Sequence, residues 1–369
     1  MLRTFDLRLK PKATQRAELE GILADSVETY NAALQERRDA WKVCQKRITY
    51  YDQQTELTEL RQDPRFATIA VDIQREPLRR VERAFQAFFR RVKAGQKPGY
   101  PRFRSRDRYH SFAWHMPRLR AEGLLVPNLG PIRFKASRIL EGQIKMATII
   151  RCGHKWTARI VMDIGPAPEK RMVTTVVGMD VGLTTLATLS DGTEIENPRW
   201  TRAHGDRIAA ANRVLARKQR RSNNRAKARE ALHRAHQRAA NARKNYLHHV
   251  SKWLVGGYDL IAYEALKVKG LAQGNLAKSI MDAAWAILLF QLRYKAESAG
   301  AYAIAVNPRG TSQICSACGE KVPKELSQRW HDCPHCGLSL SRDHNAGRNI
   351  LALGMSAAGL TSPSKCIGS

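Results

Sequence analysis

Polar and apolar residues alternate at the start of the chain, where Phe5, Leu7 and Leu9 fall on one face of a strand that Pro11 ends. The period then lengthens. Leu19, Ile22, Leu23, Val27, Tyr30 and Leu34 recur every three or four residues and predict an amphipathic helix, with Thr14 as its cap and Glu18 in its first turn. Residues 50–54 and Asp63-Pro64 read as breaks before a second helix, whose Leu78, Val81, Phe85, Phe88, Phe89 and Val92 form one stripe. A stripe at that spacing predicts a face turned to the core. From 111 to 165 the period returns to two in several short runs, including 144–150 and 156–162, joined by a turn at Cys152-Gly153-His154. Such hairpins predict a small β-barrel, closed by the N-terminal strand.

Pro166, Pro168 and Lys170 mark a linker, after which strand and helix patterns alternate. Residues 176–183 and 184–190 read as strands, the second ending at the tight Asp191-Gly192 turn, and 258–264 and 301–306 read as two more. Between these last two, Ile280, Ala284, Ile287, Leu288, Leu292 and Ala296 predict a buried crossover helix over 279–299. The alternation predicts an α/β core. Three acids mark it. Asp180 and Glu264 stand where apolar runs end, and Asp343 lies in the first turn of the helix that Ser341-Arg342-Asp343-His344 begins. Carboxylates converging from two strand ends and a helix start would hold Mg²⁺ through oxygen ligands, and two such ions about 4 Å apart can activate water against a phosphodiester. Each acid alone is as well explained as a solvated surface group.

Charge changes the picture next. Lys and Arg number 63 against 33 Asp and Glu, a formal +30, which attracts a polyanion. Between Arg199 and His249, fifteen Arg and Lys face only Asp206 and Glu230, with almost no apolar stripe over 216–230. A helix charged on every side lies against something anionic or does not form. Residues 90–108 interleave Arg102, Arg104, Arg106 and further basic residues with Tyr100, Phe103 and Tyr109, a pattern suited to phosphate contact and base stacking. No apolar run reaches the length of a membrane span, and the N-terminus lacks a signal-peptide core, so the expected place is the prokaryotic cytoplasm and nucleoid, with no membrane partner.

Of seven cysteines, four sit in Cys315-Ser316-Ala317-Cys318 and Cys333-Pro334-His335-Cys336, two knuckles fourteen residues apart, each followed by glycine. Four thiolates at this spacing predict a closed, structural Zn²⁺ site with no position left for chemistry.

The strings Gly178-Met179-Asp180-Val181-Gly182-Leu183, Ile261-Ala262-Tyr263-Glu264-Ala265-Leu266, Thr311-Ser312-Gln313-Ile314-Cys315 and Arg342-Asp343-His344-Asn345-Ala346, in that order, resemble the motifs of the TnpB (OrfB) family of insertion-sequence proteins, ancestors of the type V CRISPR nucleases. Pro98-Gly99-Tyr100-Pro101-Arg102-Phe103 is similar to a further family segment. The resemblance implies a multidomain α/β plus β-barrel chain. A wedge β-barrel (1–10 and 95–168) would carry a helical recognition domain (11–94). An RNase H-like RuvC nuclease core (169–310 and 342–356) would hold a basic helical insertion (200–254) and a zinc-ribbon element (311–341), ahead of a mobile tail (357–369). It also implies an RNA-guided DNA endonuclease that binds a transposon-end guide RNA, reads a short motif beside the target, and cuts double-stranded DNA as a monomer on the RNA. Asp180, Glu264 and Asp343 would then hold two Mg²⁺, or Mn²⁺ in substitution, and Cys315, Cys318, Cys333 and Cys336 the Zn²⁺. Nucleic-acid contacts are expected from Arg102, Arg104, Arg106, Arg217, Arg220, Arg221 and Arg225, with Tyr51 and Gln74 near the adjacent motif. Two other readings fit the residues: a guide-independent RuvC-like nuclease or transposase, and a DNA-binding regulator that does not cut.

Overall fold

Local sequence sets the elements of the computed structural model, which describes residues 1–135, 140–153, 155–271, 273–325 and 328–360. The chain divides into two units, Met1–Pro166 and Ala167–Ser369, at the proline-marked linker.

In the first unit, β1 (Leu2–Leu9) buries Phe5, Leu7 and Leu9 and pairs antiparallel with its neighbours on both sides. Four helices come next: α1 (Ala13–Cys44), α2 (Tyr50–Leu60), α3 (Pro64–Ala67) and α4 (Val71–Lys93). Strands β2 (Ser111–His115), β3 (Arg118–Arg120), β4 (Gly123–Val126), β5 (Gly130–Ile132), β6 (Phe134–Lys135), β7 (Gln143–Cys152) and β8 (Lys155–Asp163) complete it. They form a five-stranded sheet ordered β2-β7-β8-β1-β6 and a three-stranded sheet β3-β4-β5. The N-terminal strand thus joins the hairpin sheet, as its alternation predicts.

Three expectations change. The cap of α1 is Lys12 with Gln15 rather than Thr14, because the Gln15 side chain reaches back to the Lys12 N–H. Residues 50–54 begin a helix instead of breaking one, since Thr49 and Asp52 make a reciprocal capping box that overrides the polar composition. The stripe on α4 is core only at its start: Leu78 and Val81 are buried, whereas Phe89 and Val92 are 56% and 51% exposed.

In the second unit, β9 (Val176–Val181), β10 (Thr185–Leu189) and β11 (Glu194–Glu196) are followed by α5 (Trp200–Ala203), α6 (Gly205–Ala216) and α7 (Asn223–Gly257). Next come β12 (Leu260–Glu264), α8 (Val268–Leu271), α9 (Ala277–Ala283), α10 (Trp285–Ala299), β13 (Tyr302–Val306), β14 (Trp330–Asp332), β15 (Ser339–Ser341) and α11 (Arg342–Ala357). The main sheet is mixed, ordered β11-β10-β9-β12-β13, antiparallel on the β10 side of β9 and parallel from β9 through β13. The crossover helix expected over 279–299 is broken. Ala284 takes a left-handed conformation at φ 54°, ending α9, and the turn lets the Trp285 indole N–H donate to the Gly182 carbonyl at 3.1 Å. The basic helix α7 is formed over 35 residues, about 50 Å, because its last third packs Leu247, Val250, Leu254 and Val255 into the core while its first half buries only Ala228 and Ala235. The expected tail begins later than Ala357: Ala358 and Leu360 pack beside Ile350 and Val306, and residues 361–369 lie outside the described residues. Among the described residues no helix is long and apolar enough to cross a membrane.

Strand alternation decides what the sheet presents. Val177, Met179, Ile261 and Tyr263 point into the core shared with α7 and α10, so Gly178, Asp180, Ala262 and Glu264 take the opposite face. Helix α11 covers that second face. A Cβ at Gly178 would overlap the carbonyl oxygen of Gly347 and stand 2.5 Å from the Leu351 amide nitrogen, so only glycine lets helix and strand approach this closely. Gly178→Ala is therefore expected to cost about 1–3 kcal/mol of stability, read as a lowered melting temperature, and to slow any reaction that needs α11 held in place.

Candidate active site

The register that sets the sheet also sets two of the acids side by side. Met179 pairs with Tyr263 across the parallel β9/β12 ladder, and Asp180 and Glu264 each come one residue later. Asp343, in the first turn of α11, is brought to the same face by the helix packing, with Ser341 capping the helix by accepting from the His344 N–H at 3.2 Å. All three are half-buried.

Asp180 feels the charge of the other two acids. Burial, then the negative charges of Glu264 and Asp343, push Asp180 up to about 8, although the Arg342 guanidinium pulls the other way. Burial also raises Glu264, against the Thr311 hydroxyl, which donates to its Oε1 at 2.6 Å. The Arg342 Nε lies 3.4 Å from the Asp343 Oδ1. Three carboxylates with one guanidinium beside them form a site short of positive charge. The donor set is all oxygen, which suits Mg²⁺ or Mn²⁺. Among the described residues only the four cysteines have ligand atoms all within 4.8 Å of one another, so the acids are spread more widely than a single ion requires. That spread is compatible with a pair of ions about 4 Å apart.

The cysteines converge. Cys315 and Cys336 are 3.6 Å apart at sulfur, as are Cys318 and Cys333. A tetrahedron with Zn–S near 2.3 Å has an edge of about 3.8 Å, so the four sulfurs fit one closed Zn²⁺ site. Each knuckle closes with an N–H from its glycine to the first cysteine carbonyl at 3.0 Å, and Gly319 and Gly337 both hold positive φ there. Against its own burial, the N–H groups of His335 and Cys336 hold the Cys333 thiol down at about 6, ready to ligate as thiolate. Cys44 and Cys152 belong to the first unit, and Cys366 lies outside the described residues.

This element is tied to the acids. The Asn345 side chain accepts from the Ser316 N–H at 2.9 Å and donates to the Ile314 carbonyl at 2.7 Å. Asn349 donates to the carbonyls of Thr311 and Ile314 at 2.8 and 2.6 Å. The stretch 311–316 thus links the zinc-type knuckle, the helix of Asp343 and, through the Thr311 hydroxyl, Glu264. Reading acids and cysteines alone misses Thr311, Asn345 and Asn349, although all three lie inside or next to the family motifs. Asp259 is missed too: it accepts from the N–H and hydroxyl groups of both Thr174 and Thr175, which hold its carboxyl well below the usual range and fasten β12 to the chain entering β9.

The expected nucleic-acid residues divide. Arg217, Arg220 and Arg221 are exposed at the α6–α7 turn, but Arg225 turns inward and donates to the carbonyls of Leu215 and Lys218, closing the end of α6. Arg102 is exposed, Arg104 lies over the Tyr30 ring at 5.3 Å, and Arg106 pairs with Glu28 at 2.5 Å. Of the interleaved rings, Tyr100 and Phe103 are exposed, whereas Tyr109 is core, packed near Tyr30 beneath the Arg80 guanidinium. Tyr51 is 76% exposed. The Gln74 side chain is held by Arg61 and the Phe66 carbonyl, and it lines a cleft of about 630 Å³ that carries Asp25, Glu28, Glu36 and Glu56 and, among the described residues, no Lys or Arg. A second cleft of about 590 Å³ lies between α4 and the β2/β7 strands, lined by Tyr50, Arg79, Arg83, Gln86, His115 and Thr148 among others.

Known proteins resemble this chain. The OrfB_IS605 family, described as a probable transposase, matches residues 159–275, and the Cas12f1-like TNB domain matches residues 285–350. A Streptomyces pristinaespiralis protein provisionally named RNA-guided DNA endonuclease is 33% identical over 378 residues, covering 96% of this chain and 90% of its own. The Escherichia coli K12 protein InsQ, with the same provisional name, is 30% identical over 96% of this chain and 92% of its own. The fold is shared with the mini-RNA-guided endonuclease CRISPR-Cas_phi3, at a TM-score of 0.53 and 9% identity, over 98% of this chain and 94% of that one.

Proposed function

Because the chain belongs to the TnpB (OrfB) family of insertion-sequence-encoded RNA-guided endonucleases, we propose that it cuts double-stranded DNA at sites chosen by a bound guide RNA. The reading is carried by the register that sets Asp180 beside Glu264 and by the charges of Glu264 and Asp343 acting on Asp180, in a chain whose net charge of +30 otherwise repels cations; the sheet would then be of RuvC type. Mg²⁺ held by these three carboxylates would supply Lewis acidity at the scissile phosphate and lower the pKa of the attacking water. The protein's own part is positional. Thr311 orients Glu264, the Ser341 cap and the Asn345 and Asn349 bonds fix Asp343, and Arg342 offers a donor beside the acids for a phosphate oxygen. Zn²⁺ in the four-cysteine site has a structural role, because four thiolates complete its coordination.

Guide pairing supplies sequence choice, so the protein needs backbone contacts to an A-form duplex more than base readout. Exposed Arg217, Arg220 and Arg221 suit that role, with Arg102 in the first unit, whose sheet and helices take the wedge-barrel and recognition roles. Reading of the adjacent motif is assigned to the 590 Å³ cleft, whose arginines Arg79, Arg80 and Arg83 outnumber its acids Glu76 and Glu82, in preference to Gln74; Arg83, Gln86 and His115 would exchange their bonds to Glu76, Glu82 and Asp72 for base edges, beside Thr148. The acidic cleft around Gln74 would repel the DNA backbone. Purification from its native host tests the whole reading: the protein should retain one structured transposon-end RNA, and cutting of a matched plasmid should vanish when that RNA is removed and return when it is restored. Cutting that persists without RNA would point to a guide-independent nuclease.

A further inference from the structure

Helix α4 ends in a group of rings that the core absorbs only in part, through Phe85. Tyr100 folds back onto Phe85 and Phe88, with ring centroids 5.7 and 5.5 Å away, and Phe88 lies 5.2 Å from Phe89. Phe89 and Tyr100 are 56% and 46% exposed, and Phe103, under the Arg38 guanidinium at 5.2 Å, is 49% exposed. A monomeric surface rarely leaves several large rings together in water without a partner.

The surroundings identify the partner's chemistry. Residues 83–106 contain eight Arg and Lys and no Asp or Glu, and Arg90, Arg91 and Lys93 stand exposed on the turn of α4 that carries Phe89. A protein partner's apolar face would gain the rings but leave those cations without acceptors, whereas a nucleic-acid strand satisfies both through its bases and phosphates. Ring orientation narrows the choice further. Phe89 lies nearly parallel to Phe85, at 26° with centroids 6.3 Å apart, but Phe88 is inclined 72° to Phe89, and Tyr100 is inclined 90° to Phe85 and 75° to Phe88, so the cluster as a whole makes no single flat platform as broad as a base pair. Each exposed ring has the area to stack with one base.

We propose that Phe89 and Tyr100, at the end of α4, are a stacking site for unpaired bases of a nucleic-acid strand whose phosphates are held by Arg90, Arg91 and Lys93. The site rests on the reading that nucleic acid is the partner, and adds to it a place in the first unit where a strand leaves its duplex.

The test is equilibrium binding by the full chain, freed of nucleic acid, to single-stranded RNA and DNA carrying 2-aminopurine and to a blunt duplex of equal length. In the unsubstituted protein, single strands should show 2-aminopurine quenching on binding. Phe89→Ala with Tyr100→Ala should weaken single-strand affinity roughly 10- to 100-fold, leave duplex affinity unchanged, and leave the salt dependence as it was. Arg90→Gln with Arg91→Gln should instead reduce the salt dependence. Phe89→Trp with Tyr100→Phe, which keeps the rings, should bind like the parent. Absence of quenching in the parent overturns the proposal, as does equal loss on duplex and single strand. A parent that sediments as a dimer, with ring variants that are monomeric yet bind normally, would make this a self-association surface instead. Because the readout is binding, it stands apart from the cleavage tests: a chain that never cuts could still pass it, and failure here leaves guided cutting untouched.

Discussion

Asp180→Ala and Glu264→Ala should each lower DNA cleavage by roughly 10⁴-fold or more, while affinity for guide RNA and matched DNA stays near that of the parent. The asymmetry comes from where the charge lies. The acids carry negative charge, and the residues offered for phosphate contact, Arg342 beside them included, are positive, so deleting one acid removes a metal ligand without removing a phosphate contact. Single-turnover cutting beside a filter-binding assay separates the two quantities; a variant that cuts like the parent would remove these acids from the chemistry. Asp180→Asn adds a second readout with a definite sign. Burial and its two acidic neighbours raise the Asp180 carboxyl to about 8, so the metal-free protein favours its protonated form. Keeping it ionised costs stability that grows as pH rises from the unfolded value near 4 and levels off above about 8. In chelator, Asp180→Asn should therefore melt higher than the parent at pH 8, with the gain shrinking toward pH 4, although it is inactive. A uniform loss of stability at every pH would mean that Asp180 serves the fold instead.

The same site shows how far the sequence carries. Short continuous apolar runs place Asp180 and Glu264 at strand ends, because the length of such a run is a local property. That both acids share one face depends on the β9/β12 register, and that Asp343 joins them depends on the approach of α11 to Gly178, which are tertiary facts. Errors fall where polar side chains choose between uses. Tyr50-Tyr51-Asp52-Gln53-Gln54 looks like a break by composition, yet Thr49 caps it into a helix and Gln53 is buried, donating to the Ala33 carbonyl and the Glu36 carboxylate. Arg225 looks like one more phosphate contact, yet it closes the end of α6. Phe89 looks like core because helical spacing records which side a residue faces and not whether anything covers that side.

Removing zinc should disable cutting as well as loosen the fold, although the metal has no open position for chemistry. Its ligands are two knuckles with little apolar core of their own; Thr311, Cys315, His331, Cys333 and Leu340 are the interior of the element among its described residues. Structural zinc in small elements of this kind contributes about 10 kcal/mol or more of binding free energy, so without it the knuckles should open. Opening releases residues 311–316, and with them the hydroxyl on Glu264 and the backbone groups that Asn345 and Asn349 hold. Cys318→Ser should thus lose zinc, melt earlier and cut less, and restoring zinc should not rescue it. Thr311→Val separates the links of this chain: it removes the bond to Glu264 while leaving the four cysteines in place, so it should keep zinc and most stability but cut more slowly, with target binding unchanged. Metal analysis, melting and cleavage measured on the same preparations distinguish the cases. A zinc-free Cys318→Ser protein that melts and cuts like the parent would show that the knuckle does not hold the acids in place.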